Sequence, residues 1–244
     1  MNQRAYYIGT SGWNYVSFKG IFYPRELPSA QWLRFYAQYF DTVELNVTFY
    51  RTPRPSTFQK WYEETPSNFV FSVKAPRIIT HFKRLREVKE PLIDFLKSLQ
   101  PLKEKARALL FQLPPSLSFN RELMEAFLPL LPKDFDIAIE TRHQSFQCEE
   151  WIEMLRKYNL SLCLSDCGKR YASWFEVKTT DFLYLRLHGS KELYVSEYTE
   201  EELQSIVAVI KRLNPKYSYV YFDNTARGFA IKNALRLKEL LEGH

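Results

Sequence analysis

The chain has 244 residues, of which 45% are hydrophobic and 25% charged, with 7 glycines and 13 prolines. This composition excludes fibrous and disordered proteins, and the length suffices for a large hydrophobic core without disulfides or metal. Lysine and arginine outnumber aspartate and glutamate by 34 to 28, a formal net charge of +6. The excess of positive charge is compatible with a phosphate metabolite, a carboxylate or nucleic acid as ligand.

The three cysteines, Cys148, Cys163 and Cys167, are an odd number without metal-finger spacing. Reduced thiols in a cytosolic protein fit this pattern better than the disulfide framework of a secreted protein. The N-terminal residues run directly into a strand-like Tyr-Tyr-Ile segment, and no window approaches the roughly 18 apolar residues of a membrane-spanning helix. We therefore expect an untargeted cytoplasmic protein that does not associate with membranes.

Eight short runs rich in β-branched and aromatic residues, each bounded by turn-forming residues, predict β-strands. In chain order the predicted strands are 6–8, 42–46, 69–74, 108–113, 136–140, 161–166, 182–188 and 218–222. Apolar residues at helical spacing lie between most of them. Thr199 followed by Glu202 predicts a capping box, and Thr225 predicts the cap of the last helix.

The spacing of the predicted strands indicates the fold. Their starts are about 30 residues apart, which is the length of one strand with its crossover helix. Eight such units in a chain of this length predict an α/β protein with a single (β/α)8 TIM-like barrel, one domain over residues 1–244. An open doubly wound sheet is the alternative, because eight parallel strands can also lie flat.

Polar side chains recur near the C-terminal ends of the predicted strands, where a barrel binds its ligands. On the second strand Glu44, Asn46 and Thr48 share one parity, while apolar residues occupy the other. The later strands add Ser72, Lys74, Gln112, Glu140, Arg142, Asp166, Arg186, His188, Asp223 and Asn224. Burial of so many charges costs free energy that pairing or a ligand must offset. The pattern predicts a ligand site or, alternatively, a network of ion pairs that plugs the barrel.

Short motifs with a common pattern are distributed over the whole chain. They are Gly-Thr-Ser-Gly-Trp at 9–13, Phe-Tyr-Pro at 22–24, Thr-Val-Glu-Leu-Asn-Val-Thr-Phe-Tyr at 42–50, Phe-Ser-Val-Lys-Ala-Pro at 71–76, Thr-His at 80–81, Phe-Gln-Leu-Pro-Pro at 111–115, Ile-Glu-Thr-Arg-His at 139–143, Arg-Leu-His-Gly at 186–189 and Tyr-Phe-Asp-Asn at 221–224. These motifs resemble the YecE-like proteins of the domain of unknown function 72 family. The resemblance implies a TIM-like barrel and carries no established activity. Phe146 stands where that family usually has Trp, and Asp223 where it usually has Asn, whereas Asn224 matches.

Carboxylates mixed with cationic side chains at the strand ends favour general acid–base chemistry on a small anionic substrate. We assign the base to Glu140 or Glu44 and the acid to His188, and expect Lys74 to act electrostatically or as a Schiff base. The residues expected to bind the substrate are Asn46, Thr48, Gln112, Arg142, Asp166, Arg186, Gly189 and Asn224. A salt bridge of Glu140 with Arg142, and an ion-pair role for Lys74, are the structural alternatives. Whether the protein is an enzyme, its substrate and its oligomeric state stay open.

Two loops offer a second location for an anion. TIM barrels often bind phosphate between the loops after strands seven and eight and a helix N-terminus. Here these loops read His-Gly-Ser at 188–190 and Asn-Thr-Ala-Arg-Gly at 224–228. Ordinary turn chemistry explains the single glycine of each loop equally well.

Cofactors and other reaction classes find less support. The histidines His81, His143 and His188 lie on different strand units and show no HxH or HxxxH spacing, so we expect neither a metal nor an organic cofactor. A glycosidase with Glu44 and Glu140 as paired carboxylates is an alternative. Cysteine catalysis is disfavoured, because Cys163 falls on the parity opposite to the lumen and Cys167 has no fixed histidine partner.

A nucleic-acid-binding or nucleic-acid-processing protein is the alternative from a different class. Basic residues cluster at 83–86, 103–107 and 169–171, with aromatic residues nearby that could stack on bases. Such runs are also typical of solvated helix faces. The first cluster follows the third strand and is equally compatible with a lid over the pocket.

Overall fold

A computed structural model describes residues 6–168, 170–171 and 173–243. The eight strands are β1 (Tyr6–Thr10), β2 (Thr42–Leu45), β3 (Val70–Lys74), β4 (Ala106–Gln112), β5 (Asp136–Glu140), β6 (Ser161–Asp166), β7 (Phe182–Leu187) and β8 (Tyr217–Phe222). The α-helices of this part of the chain are α1 (Trp32–Tyr36), α2 (Val47–Tyr50), α3 (Pro55–Glu64), α4 (Lys89–Ser98), α5 (Arg121–Phe127), α6 (Glu149–Lys157), α7 (Glu200–Leu213) and α8 (Phe229–Glu242).

The strands form one parallel sheet in the order β1-β8-β7-β6-β5-β4-β3-β2. From β2 to β8 each strand pairs with the next strand in the chain, and β8 pairs with β1. The two edge strands, β1 and β2, lie next to each other and close the barrel. The fold is therefore a (β/α)8 TIM-like barrel, as the strand spacing predicts. All eight predicted strands are present with ends shifted by two residues or fewer.

The seam of the barrel, between β1 and β2, is held differently from the other strand pairs. Its backbone contact is an isolated bridge between Ser11 and Glu44. Beside this bridge the Tyr36 hydroxyl accepts from the Thr10 amide at 2.9 Å and donates to the Thr42 carbonyl at 3.1 Å. A Cβ at Gly9 would lie 2.4 Å from the Thr42 carbonyl oxygen, so only glycine permits this approach.

Alternation along each strand separates two hydrophobic layers. On β3, for example, Phe71 and Val73 pack outward against the helices, whereas Ser72 and Lys74 point into the lumen. The lower lumen is filled by aromatic and small side chains, namely Tyr7, Val70, Ala108, Leu110, Ala138, Cys163, Phe182, Tyr184, Tyr219 and Tyr221. The interior is thus a packed core that leaves the upper, C-terminal end for polar groups.

Several local expectations can be compared with the structure. The capping box of Thr199 and Glu202 at the start of α7 is confirmed. The cap predicted at Thr225 is wrong, because α8 begins after Gly228, whose φ of +79° ends the preceding turn. Between β6 and β7, the described residues of the crossover contain no helix.

The connection after β3 has an unusual backbone. Residues Ile78–Phe82 form a π-helical turn, closed by a 2.9 Å bond from the Lys83 amide to the Ile78 carbonyl. Arg84 and Leu85 follow with positive φ values of 49° and 68°. Turns of this kind recur at functional sites, and this one lies at the C-terminal mouth of the barrel.

Among the described helices, none combines the length and the apolar composition needed to cross a membrane.

Candidate functional site

Arg186, at the end of β7, lies at the centre of the upper lumen with 1% of its surface exposed. Its Nη2 donates to Glu44 at 2.8 Å and its Nη1 donates to Glu140 at 2.8 Å. Both carboxylates are completely buried. One guanidinium therefore joins two strands on opposite sides of the lumen, and the fork geometry of arginine suits this bridging contact.

Glu44 has every carboxylate oxygen engaged. Oε1 accepts from the Ser11 hydroxyl at 2.7 Å, and Oε2 accepts from the Tyr184 hydroxyl at 2.7 Å. Because Tyr184 donates its proton to Glu44, the 2.5 Å contact between the Ser72 and Tyr184 hydroxyls has Ser72 as donor. Burial alone would raise the pKa of Glu44, but Arg186 and these hydrogen bonds lower it below its ordinary value. Glu44 holds Arg186 in place and has no free oxygen with which to act as a base.

Glu140 is engaged in the same way. Oε1 accepts from Arg142 Nε at 2.7 Å and Oε2 from Gln112 Nε2 at 2.9 Å, in addition to Arg186. Burial opposes ionisation, yet Arg142 and Arg186 hold the pKa of Glu140 well below its usual range. The expected salt bridge of Glu140 with Arg142 is present, and it leaves Glu140 a poor proton acceptor. Glu44 and Glu140 are bound to the same guanidinium, which gives no support to a paired-carboxylate glycosidase.

His188 is neutral and its tautomer follows from its partners. Arg186 Nη1 lies 2.9 Å from Nε2 and can only donate, so Nε2 accepts. Nδ1 then carries the proton and donates to the Asp166 carbonyl at 3.1 Å. Burial, together with the charge of Arg186, lowers the pKa of His188 well below its usual range. The structure favours a positioning role for His188 over the acid role expected from the sequence.

Arg186, Glu44 and Glu140 form the floor of a cavity of about 510 Å³ at the C-terminal ends of the strands. Six of the twelve predicted site residues line it: Asn46, Lys74, Gln112, Arg142, Arg186 and His188. Glu44 and Glu140 lie beneath it as the acceptors of Arg186. The structure therefore brings eight of the twelve predicted residues together in one place.

Lys74, at the end of β3, enters this cavity with its ammonium group unpaired. Within the described part of the chain, Nζ makes no hydrogen bond and has no carboxylate oxygen within 4.0 Å. It lies 4.2 Å from the centre of the Phe49 ring. Burial, together with the charge of Arg186, lowers the pKa of Lys74 to about 8, against the opposing effect of Glu140 and Glu44.

Asp223 provides the carboxylate that reaches the cavity. Oδ2 lies 3.4 Å from Arg186 Nη2 and 3.4 Å from His188 Nε2, and 13% of the side chain is exposed. Burial raises the pKa of Asp223 to about 7, because the opposing charge of Arg186 is already shared with Glu44 and Glu140. Asp223 can therefore exchange a proton near neutral pH, which neither of the deeper glutamates can do.

The rim of the cavity combines aromatic rings with a cation. Arg77 lies over the Tyr50 ring at 5.7 Å and over the Phe82 ring at 5.1 Å. Tyr50 and Phe82 are both exposed and do not belong to the hydrophobic core. Asn46, lower in the wall, has a buried amide oxygen that meets no hydrogen-bond partner in the part of the chain that the structure describes. Two exposed rings, a cation and an unsatisfied buried amide oxygen therefore lie together around this cavity.

Four predicted binding residues lie elsewhere. The parity assumed for Thr48 is wrong, since β2 ends at Leu45 and Thr48 belongs to α2, where its hydroxyl donates to the Lys74 carbonyl at 2.6 Å. On β6, Ser165 faces the lumen and Asp166 faces outward, accepting from Tyr198 at 2.8 Å. Asn224 joins two neighbouring segments through Ser196 and Asn233.

Several amides of the loops after β7 and β8 already have acceptors within the protein. The Gly189 amide donates to the Tyr198 hydroxyl at 2.9 Å, and the Ala230 amide at the start of α8 donates to the Asn224 carbonyl at 3.2 Å. A Cβ at Gly189 would lie 2.5 Å from the Glu192 carbonyl oxygen. Gly189 is therefore required by the tight path of its own loop.

Two of the three cysteines, Cys163 and Cys167, lie near this site. Cys163 lies in the lower lumen, contrary to the assumed parity, and burial raises its pKa well above the usual range. His188 Nδ1 lies 3.7 Å from Cys167 Sγ, but burial and Glu140 raise the pKa of this thiol. Cys167, His188 and Glu140 place atoms that could bind a metal ion within 4.8 Å of one another. The two oxygens of Glu140 already accept hydrogen bonds from Arg142 and Arg186.

The basic clusters do not form one surface. Arg84 is bound to Ser116 near the mouth, while Arg107, at the start of β4, pairs with Asp136 at the opposite end of the barrel. Lys105 is buried. Of the third cluster, Lys169 lies outside the described residues, and Arg170 stacks on Tyr171.

The sequence places Ser72 and Asp223 among the polar residues at the strand ends without assigning them a role, and Ser11, Ser165 and Tyr184 were not predicted. Parity on β1, β6 and β7 would have placed these three in the lumen. Hydroxyl groups on lumen positions were the available signal, since buried carboxylates require donors.

Comparisons with known proteins agree with this architecture. A family model described as "Protein of unknown function DUF72" matches residues 7–244. UPF0759 protein YunF of Bacillus subtilis is 27% identical over 270 aligned residues, covering 97% of this chain and 94% of YunF. UPF0759 protein YecE of Escherichia coli is 35% identical over 113 residues, which are 46% of this chain and 41% of YecE. The match thus spans less than half of YecE.

Solved structures show the same fold. A DUF72 family protein from Thermotoga maritima has a TM-score of 0.87 and 32% identity, over 98% of this chain and 100% of its own. One from Enterococcus faecalis has a TM-score of 0.84 at 20% identity, over 97% and 95% of the two chains. An AP endonuclease of family 2 from Brucella melitensis, with a TM-score of 0.51 and 12% identity over 94% and 96%, shares the fold alone. The chain belongs to the DUF72 family of TIM-barrel proteins.

Proposed function

We propose that this protein is an enzyme that uses acid–base chemistry on a small anionic substrate bound in the cavity above Arg186. The observation that carries the proposal is that Lys74 and Asp223 line one cavity, each with polar atoms that find no close partner among the described residues. Their pKa values, about 8 and about 7, lie on either side of neutral pH. Two groups with such values can hold and exchange a proton during a reaction.

The charges of the site support an anion. Lys74, Arg142 and Arg186 contribute three positive charges, and Glu44, Glu140 and Asp223 contribute three negative charges when all are ionised. Protonation of Asp223 leaves one net positive charge above a floor in which the glutamates are already paired. An arriving carboxylate or phosphate would pair with Lys74 and with the outer face of Arg142, and would favour the protonated form of Asp223.

A thermal-shift and calorimetric screen of inorganic phosphate, sugar phosphates and short carboxylic acids tests the proposal. We expect at least one anion class to raise the melting temperature of the native protein, and Lys74→Met to lose that shift. Lys60→Met is the matched control, since Lys60 is exposed and pairs with Glu64 on α3. The absence of any anion-dependent shift in the native protein would overturn the proposal.

Short oligonucleotides in the same screen test the alternative partner. A response to oligonucleotides alone, which falls steeply with salt and is lost on charge reversal of Lys83, Arg84 and Arg86, would replace a small anion by nucleic acid. We expect no such response, because the basic clusters lie at different ends of the barrel.

A further inference from the structure

Two buried lysines of this protein differ in one respect. Lys105 is 4% exposed and Lys74 is 8% exposed, and each lies 4.2 Å from the centre of an aromatic ring. The ammonium group of Lys105 donates to the carbonyls of Tyr62 and Thr65 at 2.6 and 2.8 Å and reaches the Thr65 hydroxyl at 3.1 Å. Three acceptors satisfy its three N–H groups, as expected of a structural lysine.

Lys74 has none of these partners within the described part of the chain, although it is almost as deeply buried. Nearby glutamates would be its natural partners, but their oxygens are occupied by Arg142, Arg186 and hydroxyl or amide donors. Among the described residues, the Lys74 amine thus stays free beside a cavity in which Arg142 and Arg186 are held by ion pairs. An ion-pair plug does not require such an amine.

We propose that Lys74 is a nucleophile that forms a Schiff base with an aldehyde or ketone group of the anionic substrate. This inference deepens the proposed function and rests on it, and it restricts the substrate to compounds with a carbonyl group near a carboxylate or phosphate. The Phe49 ring beneath Nζ and the depth of the cavity shield the amine from bulk water. Burial has already lowered the pKa of Lys74 to about 8, so that part of the amine is neutral and nucleophilic near neutral pH.

The neutral amine attacks the carbonyl carbon, so that a C–N bond forms and the π electrons of the carbonyl move to oxygen. Transfer of one proton from nitrogen to that oxygen gives a carbinolamine. The protonated carboxyl group of Asp223 then donates its proton to the hydroxyl group, the C–O bond breaks, and water leaves. The products are the iminium ion on Lys74, one water molecule and the Asp223 carboxylate, which faces the new positive charge.

Reductive trapping on the full-length protein tests the inference. The probes are glyoxylate, pyruvate, 2-oxoglutarate, glyceraldehyde 3-phosphate and dihydroxyacetone phosphate, each with sodium borohydride, followed by intact mass measurement and peptide mapping. We expect one probe to add its own mass less one oxygen atom at Lys74, at least tenfold more than at Lys105 or Lys60. Lys74→Arg should abolish the adduct, and Lys60→Arg should retain it. If Lys74→Arg fails to fold, loss of the adduct in Lys74→Met and the peptide map of the native protein test the inference instead.

Parallel calorimetry with lactate and glycerol 3-phosphate, which lack the carbonyl group, separates the two proposals. If these anions bind while no probe labels Lys74, or labelling is spread over surface lysines, the Schiff base is overturned and the acid–base proposal stands. If neither binding nor labelling occurs, both proposals are overturned. Labelling at Lys74 that rises from pH 6 to a maximum between pH 7 and pH 8 and falls again toward pH 9 supports the inference, because the neutral amine is gained while the protonated Asp223 carboxyl is lost.

Discussion

Both ends of the barrel lumen contain paired charges, half-buried at the N-terminal end and fully buried at the C-terminal end, but among the described residues only the C-terminal end also has charged groups without a close partner. At the N-terminal end Arg107 donates to the Tyr7 hydroxyl at 2.7 Å and lies 3.4 Å from Asp136. Tyr217 and Tyr219 donate to the two oxygens of Asp136 at 3.0 and 2.7 Å. One cation and one anion, each with neutral donors or rings around it, form a closed set.

The C-terminal end contains a similar closed set around Arg186, with Lys74 and Asp223 added above it. Tyrosine and hydroxyl pairs separate the two ends, among them Thr42 with Tyr221 at 2.7 Å. The comparison teaches that a buried ion pair is by itself a structural device in this protein. We expect the end that has charged groups left over after pairing to be the functional end.

Removal of Arg186 should have the largest effect on this comparison. Arg186→Met leaves Glu44 and Glu140 buried without their shared cation, and we expect a loss of about 3–5 kcal/mol in the free energy of unfolding, measured by urea denaturation. Arg121→Met is the control, because Arg121 also contacts two glutamates but is 64% exposed. We expect that change to leave stability almost unaltered. Equal stabilities of the two variants would contradict the central role of Arg186.

A substitution at the opposite end should separate stability from binding. Asp136→Asn removes the charge that Arg107 and two tyrosines share, and should lower the free energy of unfolding by about 1–3 kcal/mol. Anion binding at the upper cavity, measured by calorimetry, should be unchanged. The exposed pair of Asp181 with Lys216 supplies the control, Asp181→Asn. Loss of anion binding in Asp136→Asn would show that the two ends are coupled.

The effect on stability expected at Asp223 depends on pH, and it is smallest at acid pH. Because the native state raises the pKa of Asp223 to about 7 from 3.8, folding binds a proton that the unfolded chain releases, and stability from this group is lost as pH rises from about 4 through 7. Asp223→Asn should therefore flatten the decline and be more stable than the native protein at pH 8, with a gain over the native protein that grows as pH rises from 5 to 8. Denaturant titrations at pH 5 and pH 8 measure the difference. An unchanged slope would place the pKa of Asp223 elsewhere.

The fold was predictable because each strand is a short apolar run, and the interval between runs matches one strand with its helix. The site was predictable as far as parity holds. It failed at Thr48, where the polar spacing continues into α2, and at Asp166, where a charge drew attention from the lumen-facing Ser165.

The periodicity of a strand predicts which face a side chain lies on, but it does not predict which side chain of another strand it contacts. Glu44 and Arg186 are 142 residues apart, and nothing in either strand shows that they meet. For the same reason the sequence predicted proton transfer by Glu44 and Glu140. In the structure the oxygens of both carboxylates already accept hydrogen bonds from neighbouring side chains. Asp223 received less weight because its family pattern has Asn there, although the structure leaves it the accessible carboxylate.

The seam between β1 and β2 shares residues with the site. Glu44 and Ser11 form the seam bridge, and the same two residues hold one side of Arg186 through the glutamate carboxylate. Glu44 thus contributes at once to the closure of the barrel and to the charge balance beneath Lys74 and Asp223. The Tyr36 hydroxyl, bound to Thr10 and to Thr42, adds a second contact across the same seam.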